Sequence, residues 1–280
     1  MKLCDLHTHS VFSDGTYTPT QLLEAAERAG LSAIALSDHN TVDGLPEFLD
    51  AAQDKNIQAI AGAEFSVDYE GTELHLLALY IRKNHFAAIS ERMAEFHKRK
   101  AQSNYDLICA LNKAGYEISF AEIRKATPNR KFNRAHIAAE LTKKGYVRSI
   151  KEAFSTLLAP AHGYYKEPKR PTLWEILEFI KSLGAVPVLA HPFLNLKEDR
   201  LTTLLPLAAE KGLVGMECYY PLYDKATTEK SLLLANRFHL LPSGGSDFHG
   251  SNKPDISLGI GKGNLQIPYE WSVALKEKAE

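Results

Sequence analysis

The chain is poor in cysteine: Cys4, Cys109 and Cys218 are the only three, far apart in 280 residues. That excludes a disulfide framework and a CxxC zinc site, and it predicts free thiols in a reducing cytoplasm. Long apolar runs are missing as well. No stretch approaches the roughly 18 consecutive apolar residues of a membrane-spanning helix, and Asp5, His7, His9 and Asp14 stand where an export signal would need an apolar core. The expectation is a cytoplasmic protein with no membrane partner. Neither sign of charge dominates, since 33 basic residues face 34 acidic ones for a net charge of -1. A broad basic face for stable binding of duplex DNA is therefore not expected, while a local basic pocket remains compatible with this balance. A glycine-rich dinucleotide loop is also lacking: LGIGKGN, ending at Asn264, comes late and in the wrong context, and reads as a turn or strand edge.

What is present is a rhythm of strands and helices. Met1 to Leu6, Leu31 to Leu36, Ile57 to Ala63 and Glu73 to Tyr80 are short apolar runs of strand length. Thr20 to Arg28, with Thr18 as cap, Pro19 in the first turn and Gly30 at the end, and Val42 to Asp54 read as helices. Near-continuous apolar strands suit a parallel sheet covered on both faces. Residues 83–165 change character, becoming polar and helical. The rhythm resumes with a helix between Pro171 and Gly184, then Ala185 to Ala190, Leu201 to Lys211, Gly212 to Cys218, Lys225 to Phe238, Leu240 to Gly245 and a last segment from Leu258. These features predict an α/β fold of about seven βα-like units, residues 1–82 and 166–280, around a helical insertion subdomain of residues 83–165. A closed or nearly closed barrel collects side chains from many strand ends in one cavity, whereas an open doubly wound sheet gathers ligands at one switch point.

Polar clusters lie at those strand ends: DLHTHS, SDHN, GAE, ELHLL, AHP and SDFHG. They hold six of the eleven histidines. His7 and His9 are two apart, so at the end of an extended strand they face the same side. His39, Glu64 and His191 each follow an apolar run. Asp247 and His249 repeat the two-residue spacing, Gly244 and Gly245 permit close backbone approach, and Gly250 permits a sharp exit. An isolated core histidine is usually a packed, hydrogen-bonded residue. Six with acidic neighbours at strand ends point instead to a multinuclear metal site. Imidazole mixed with carboxylate, and no thiolate, suits a catalytic centre of manganese, iron or zinc. Asp5, Asp38 and Ser246 are expected behind the ligands, orienting imidazoles or water. His85, His97 and His239 lack this context.

With DLHTHSVFSDG, SDHNTVDG, GAE, LHLL, AHP and SDFHG in this order, the chain resembles the PHP (polymerase and histidinol phosphatase) superfamily of metal-dependent phosphoesterases across almost its whole length. The resemblance implies a distorted (β/α)7 barrel of the PHP type and a metal centre of two or three divalent ions, trinuclear when full. It places His7, His9, Glu64 and Asp247 on one ion and Asp14, His39 and His249 on a second. Glu64 bridges to a third completed by His75 and His191. Asp14 stands where some relatives have histidine. Manganese is the first expectation for the metal, with iron or zinc as alternatives.

Such a centre suits phosphoester hydrolysis by a metal-bridging hydroxide, with Glu64 essential and His191 or His249 as proton donor to the leaving oxygen. In the insertion, PNRKFNRAHIAAEL brings Arg130, Lys131 and Arg134 together, and a guanidinium can grip phosphate bidentately. The resemblance extends to the branch of nucleoside 3′,5′-bisphosphate phosphatases and short-RNA 5′ exonucleases, whose Arg-x-His-(Ile/Phe)-Ala pattern reads RAHIA here. It implies that Arg134 contacts substrate phosphate, with His136 binding or supporting. Tyr164 or Tyr165 could stack on a base, and Lys166, Lys169 and Arg170 add charge, in a PAHGYYKEPKRP segment that departs from the GGPAYV-like one of relatives. The expected substrates are nucleoside 3′,5′-bisphosphates or the 5′ ends of short oligonucleotides. The alternatives are a histidinol-phosphate phosphatase and a noncatalytic, metal-dependent binder of phosphorylated ligands.

Overall fold

A computed structural model describes residues 2–126 and 133–280. Seven strands form one sheet in sequence order: β1 (Cys4–Thr8), β2 (Ala33–Leu36), β3 (Gln58–Tyr69), β4 (Thr72–Leu79), β5 (Val186–Ala190), β6 (Gly215–Tyr219) and β7 (Leu241–Gly244). Neighbouring pairs are parallel except β3–β4 and β4–β5. After β7 the chain bridges back to β1 at Thr8–Phe248, with the Asp247 N–H donating to the His7 carbonyl at 2.8 Å. The sheet thus curls into a nearly closed barrel. Every residue of β1, β2 and β5 is buried, as parallel strands covered on both faces require.

The helices follow local signals. α1 (Pro19–Arg28) begins with a capping box in which the Thr18 side chain accepts from the Gln21 N–H and the Gln21 side chain accepts from the Thr18 N–H. α2 (Leu45–Ala51) is shorter than Val42 to Asp54 suggested, because Pro46 fits only the first turn of a helix. One connection departs from the βα rhythm. β3 runs on to Tyr69, turns at Glu70 and Gly71, both at positive φ, and returns as β4 in an antiparallel hairpin. The alternating FSVDY that follows Glu64 is the signal for this extension.

The chain divides into two compact units, 1–90 with 171–280, and 91–170. In the first, α7 (Leu173–Ser182), α8 (Glu198–Glu210), α9 (Lys225–Arg237) and α10 (Tyr269–Lys276) accompany the later strands. A core of Cys4, Leu6, Ala33, Ala35, Ile60, Leu77, Leu79, Val186 and Val188 joins five strands to Leu265, Ile267 and Leu275. The second unit holds most of α3 (Phe86–Lys113), then α4 (Phe120–Ala126), α5 (Arg134–Lys143) and α6 (Ile150–Ser155) around Leu107, Leu111, Ile137, Leu141 and Leu158. The segment after Leu258, read as a further βα unit, forms turns with Gly259, Gly261 and Gly263 at positive φ before α10. No helix among the described residues is long and apolar enough to cross a membrane. All three cysteines are free thiols, and burial pushes the Cys218 thiol up to about 12.

Candidate metal centre

Glu64 sits at the centre of the site. β3 delivers it fully buried among imidazoles from four other places in the chain. Its Oε2 lies 3.2 Å from His7 Nε2, 3.3 Å from His9 Nε2 and 2.9 Å from His39 Nδ1. Its Oε1 lies 2.7 Å from His75 Nδ1 and 3.0 Å from His191 Nε2. A parallel bridge of His39 to Glu64 sets β2's exit beside β3, and His75 and Ala190 are paired across β4 and β5. On the opposite wall Asp247 Oδ1 is 3.2 Å from His9 Nε2, and His249 Nε2 is 3.1 Å from Asp14 Oδ1. All nine side chains expected as ligands therefore meet in one place.

The donor atoms form four overlapping groups, each with its atoms within 4.8 Å of one another: His9, Asp14, His39 and His249; His7, His9 and Glu64; His7, His191 and Glu217; and His39, Glu64 and His75. His75 Nδ1 and His191 Nε2 hydrogen-bond Glu64 Oε1, but proximity does not become hydrogen bonding for other atoms of the cluster. His7 Nε2, His9 Nε2, Asp14 Oδ1, His39 Nδ1, Glu64 Oε2 and His191 Nδ1 are buried without a hydrogen-bond partner. Buried polar atoms are nearly always paired, and leaving one unpaired costs about 1–3 kcal/mol. The five of these atoms that face one another, those of His7, His9, Asp14, His39 and Glu64, crowd together without bonding each other, which fits divalent cations among them. The nitrogen and oxygen donor set suits a transition metal, and Asp14 and His39 leave one side partly open to solvent, as a catalytic site requires.

Charge is balanced tightly. Burial would raise the Asp14, Glu64 and Asp247 carboxyls, but neighbouring histidines, joined at Asp247 by Lys253, hold all three well below the usual carboxylate range. Burial would lower His75, yet the Glu64 carboxylate overrides it and raises the imidazole to about 10. His7 is raised by Glu64 and Glu217 against the same burial effect. His9 goes the other way, lowered by burial and by His249 and His39, whose rings lie 4.1 and 4.5 Å from its own.

Backbone strain is concentrated here. His191 and Asp247 adopt φ of 27° and 52°, a region costly for residues other than glycine. Hydrogen bonds hold both: Glu217 Oε2 accepts from the His191 N–H at 2.7 Å, and the His7 carbonyl accepts from the Asp247 N–H. Gly245 is required by contact, because a Cβ there would overlap His7.

The supporting carboxylates bond backbone and hydroxyl groups rather than imidazoles. Asp5 accepts from the N–H groups of His7, Ser246 and Gly259, and Asp38 accepts from the Ser10 N–H and the Ser10 and Ser13 hydroxyls. Neither orients an imidazole; they tie the ligand-bearing loops together. The imidazole partner is Glu217, which sequence reasoning missed. Its Oε1 is 3.0 Å from His7 Nδ1. The available signal was a lone acid in the buried run GMECY of β6. Tyr220, whose OH donates to Asp247 Oδ2 at 2.7 Å, and Lys253, with Nζ 2.6 Å from the same atom, were missed too.

The residues proposed for substrate lie in the second unit. Arg134 places its guanidinium 4.1 Å over the Tyr165 ring. His136 caps its own helix, its Nδ1 accepting from the Asn133 N–H at 3.2 Å. Tyr164 packs edge-on against Tyr116, and Lys166 is exposed with its carbonyl accepting from the Ser103 hydroxyl. Arg130 and Lys131 fall outside the described residues.

A nearly closed barrel with this donor set at its strand ends defines a metal-dependent hydrolase. The chain belongs to the PHP domain family, whose model matches residues 5–183. It is 30% identical to a 5′-3′ exoribonuclease of Haemophilus influenzae over 89% of this chain and 90% of that one. It is also 30% identical to a phosphoribosyl 1,2-cyclic phosphate 1,2-diphosphodiesterase of Eggerthella lenta, covering 88% and 94%. Identity is 26% to a 3′,5′-nucleoside bisphosphate phosphatase of Chromobacterium violaceum, covering 91% and 90%. Among solved structures, a metal-dependent phosphoesterase of Bifidobacterium adolescentis superposes with a TM-score of 0.86 at 26% identity, covering 100% of this chain and 97% of that one. These likenesses establish the PHP-type barrel and a metal-dependent hydrolase of phosphoric esters.

Proposed function

We propose that the chain hydrolyses phosphate esters of nucleotides, either nucleoside 3′,5′-bisphosphates or the 5′ ends of short oligonucleotides. The observation that carries this reading is the set of unpartnered donor atoms around Glu64, in a chain whose relatives are named for those two activities. Divalent ions held there supply a Lewis acid for the phosphoryl oxygens and a water of lowered pKa. We assign His7, His9, Glu64 and Asp247 to one ion, Asp14, His39 and His249 to another, and His75 and His191 with Glu64 to a third. Manganese is the metal we put first, ahead of iron and zinc.

The remaining chemistry belongs to the side chains. Glu217, bonded to His7 Nδ1, keeps the Nε2 of that ring free for the site. His249 has Nδ1 2.8 Å from the Asp247 carbonyl oxygen and Nε2 facing Asp14, so both its nitrogens are engaged. His191 turns Nε2 to Glu64 and the third ion and leaves Nδ1 unpaired, so of these two histidines it is the one with a nitrogen left to hold a proton for the leaving oxygen. Arg134, its guanidinium fixed on Tyr165, is our residue for a further phosphate of an oligonucleotide substrate.

A substrate panel tests the reading: nucleoside 3′,5′-bisphosphates, 5′-phosphorylated oligonucleotides, a cyclic phosphodiester, histidinol phosphate and aryl phosphates. Preference for the first two supports it. Activity confined to histidinol phosphate, or bound metal with no turnover of any ester, defeats it.

A further inference from the structure

Beside the donor cluster lies a cavity of about 240 Å³ whose wall includes Asp247. That carboxylate belongs to both spaces. Its Oδ1 faces His9 Nε2, and its Oδ2 is held by the Tyr220 hydroxyl and by Lys253. Tyr220, Leu222 and Ile256 give the cavity apolar surface, while Lys253, Lys262 and Asp255 supply its other charges.

We propose that this cavity receives the alcohol portion of the phosphoester, a single ring-bearing group such as a nucleoside, with a further anionic group taken by Lys262. The inference rests on the phosphoester reading and adds where substrate is selected. Ligand pockets commonly span roughly 300–1,000 Å³, and a space just below that range suits one ring-bearing unit. An ester whose phosphoryl group sits at the donor cluster must project its organic part into adjoining space, and the cavity adjoins through a shared side chain. Leu222 and Ile256 offer apolar contact to a ring face.

The cation is identified by elimination. Lys253 is engaged by Asp247, whereas no ion pair holds Lys262 among the described residues. Lys262 is carried on a defined turn: its N–H donates to Asn264 Oδ1 at 3.1 Å, Gly261 and Gly263 flank it at positive φ, and the Gly261 N–H donates to the Ser257 carbonyl at 2.8 Å. The glycine pattern of LGIGKGN thus presents a lysine to a pocket instead of cradling a dinucleotide.

The test uses the metal-loaded protein and two substitutions at exposed positions, Lys262→Glu and Leu222→Asp. Lys262→Glu should raise KM for adenosine 3′,5′-bisphosphate at least about tenfold more than KM for p-nitrophenyl phosphate, which lacks a second anion. Leu222→Asp should raise KM for both ring-bearing esters while the inhibition constant of inorganic phosphate moves less than about threefold. Equal effects of Lys262→Glu on both esters, no effect of either substitution, or a bisphosphate preference lost in Arg134→Gln alone would overturn the proposal. If wild-type protein does not hydrolyse the bisphosphate, the nucleotide reading fails. The cavity is then judged by calorimetric binding of the same compound: loss of affinity in Lys262→Glu sustains it, and unchanged affinity ends it.

Discussion

Glu217 Oε1 and His7 Nδ1 lie 3.0 Å apart, both fully buried, on strands 210 positions apart in sequence that the fold brings together. This contact fixes which ring nitrogen of His7 faces Glu64. The same carboxylate holds the strained backbone of His191, so one side chain orients two members of the donor cluster.

Replacing Glu217 by Gln keeps the shape but turns an N–H donor toward the His191 N–H or the His7 ring. Affinity for Mn2+ should fall about 10–100-fold, as seen when partners behind metal ligands are removed. Competition with a chelator measures it. Unchanged affinity would reduce Glu217 to packing.

Glu64→Gln should cost more, because five imidazoles address this carboxylate. Turnover should drop by at least about 100-fold with the far-ultraviolet circular dichroism unaltered. Normal turnover in a folded Glu64→Gln protein would contradict the assignment.

The pH dependence follows from the sign of the shifts. In metal-free protein His75 is raised from 6.5 to about 10, so its stabilising contribution is complete below pH 6.5 and disappears as pH rises through 10. Metal displaces protons from these imidazoles and binds more tightly as pH rises. The melting temperature of metal-free protein should therefore fall between pH 6.5 and 10, while the increment from added Mn2+ grows over the same window. An increment independent of pH would contradict proton displacement.

For Arg134, substitution by Gln should raise KM for a 5′-phosphorylated oligonucleotide about tenfold relative to an aryl phosphate, with kcat little changed. Steady-state kinetics on the two substrates decides it. Equal effects would place Arg134 outside substrate recognition and leave it as the partner of Tyr165.

Much of this was legible in the residues. The seven strands announced themselves as short apolar runs, and the histidines at their ends, which the fold gathers into one donor cluster, stood out by their spacing and acidic neighbours. The β3–β4 hairpin was less visible, because Phe65 to Tyr69 alternates only after a polar ligand cluster and no Gly-rich spacer marks the strand before Gly71. Glu217 was hidden for a different reason. Its meaning depends on His7 and His191, which only the closed barrel brings to it. Tyr220 and Lys253 likewise acquire a role only once Asp247 is placed between them. Lys262 sat in a recognised glycine pattern, but the cavity it lines is a property of the folded chain.

The most direct test is metal analysis of protein purified without chelator, coupled to phosphoester turnover before chelation, after it, and after return of Mn2+. Retained divalent metal, loss of turnover on stripping and recovery on reconstitution are the predicted results. Protein that retains no divalent ion, or that hydrolyses phosphoesters equally well once stripped, would contradict the account.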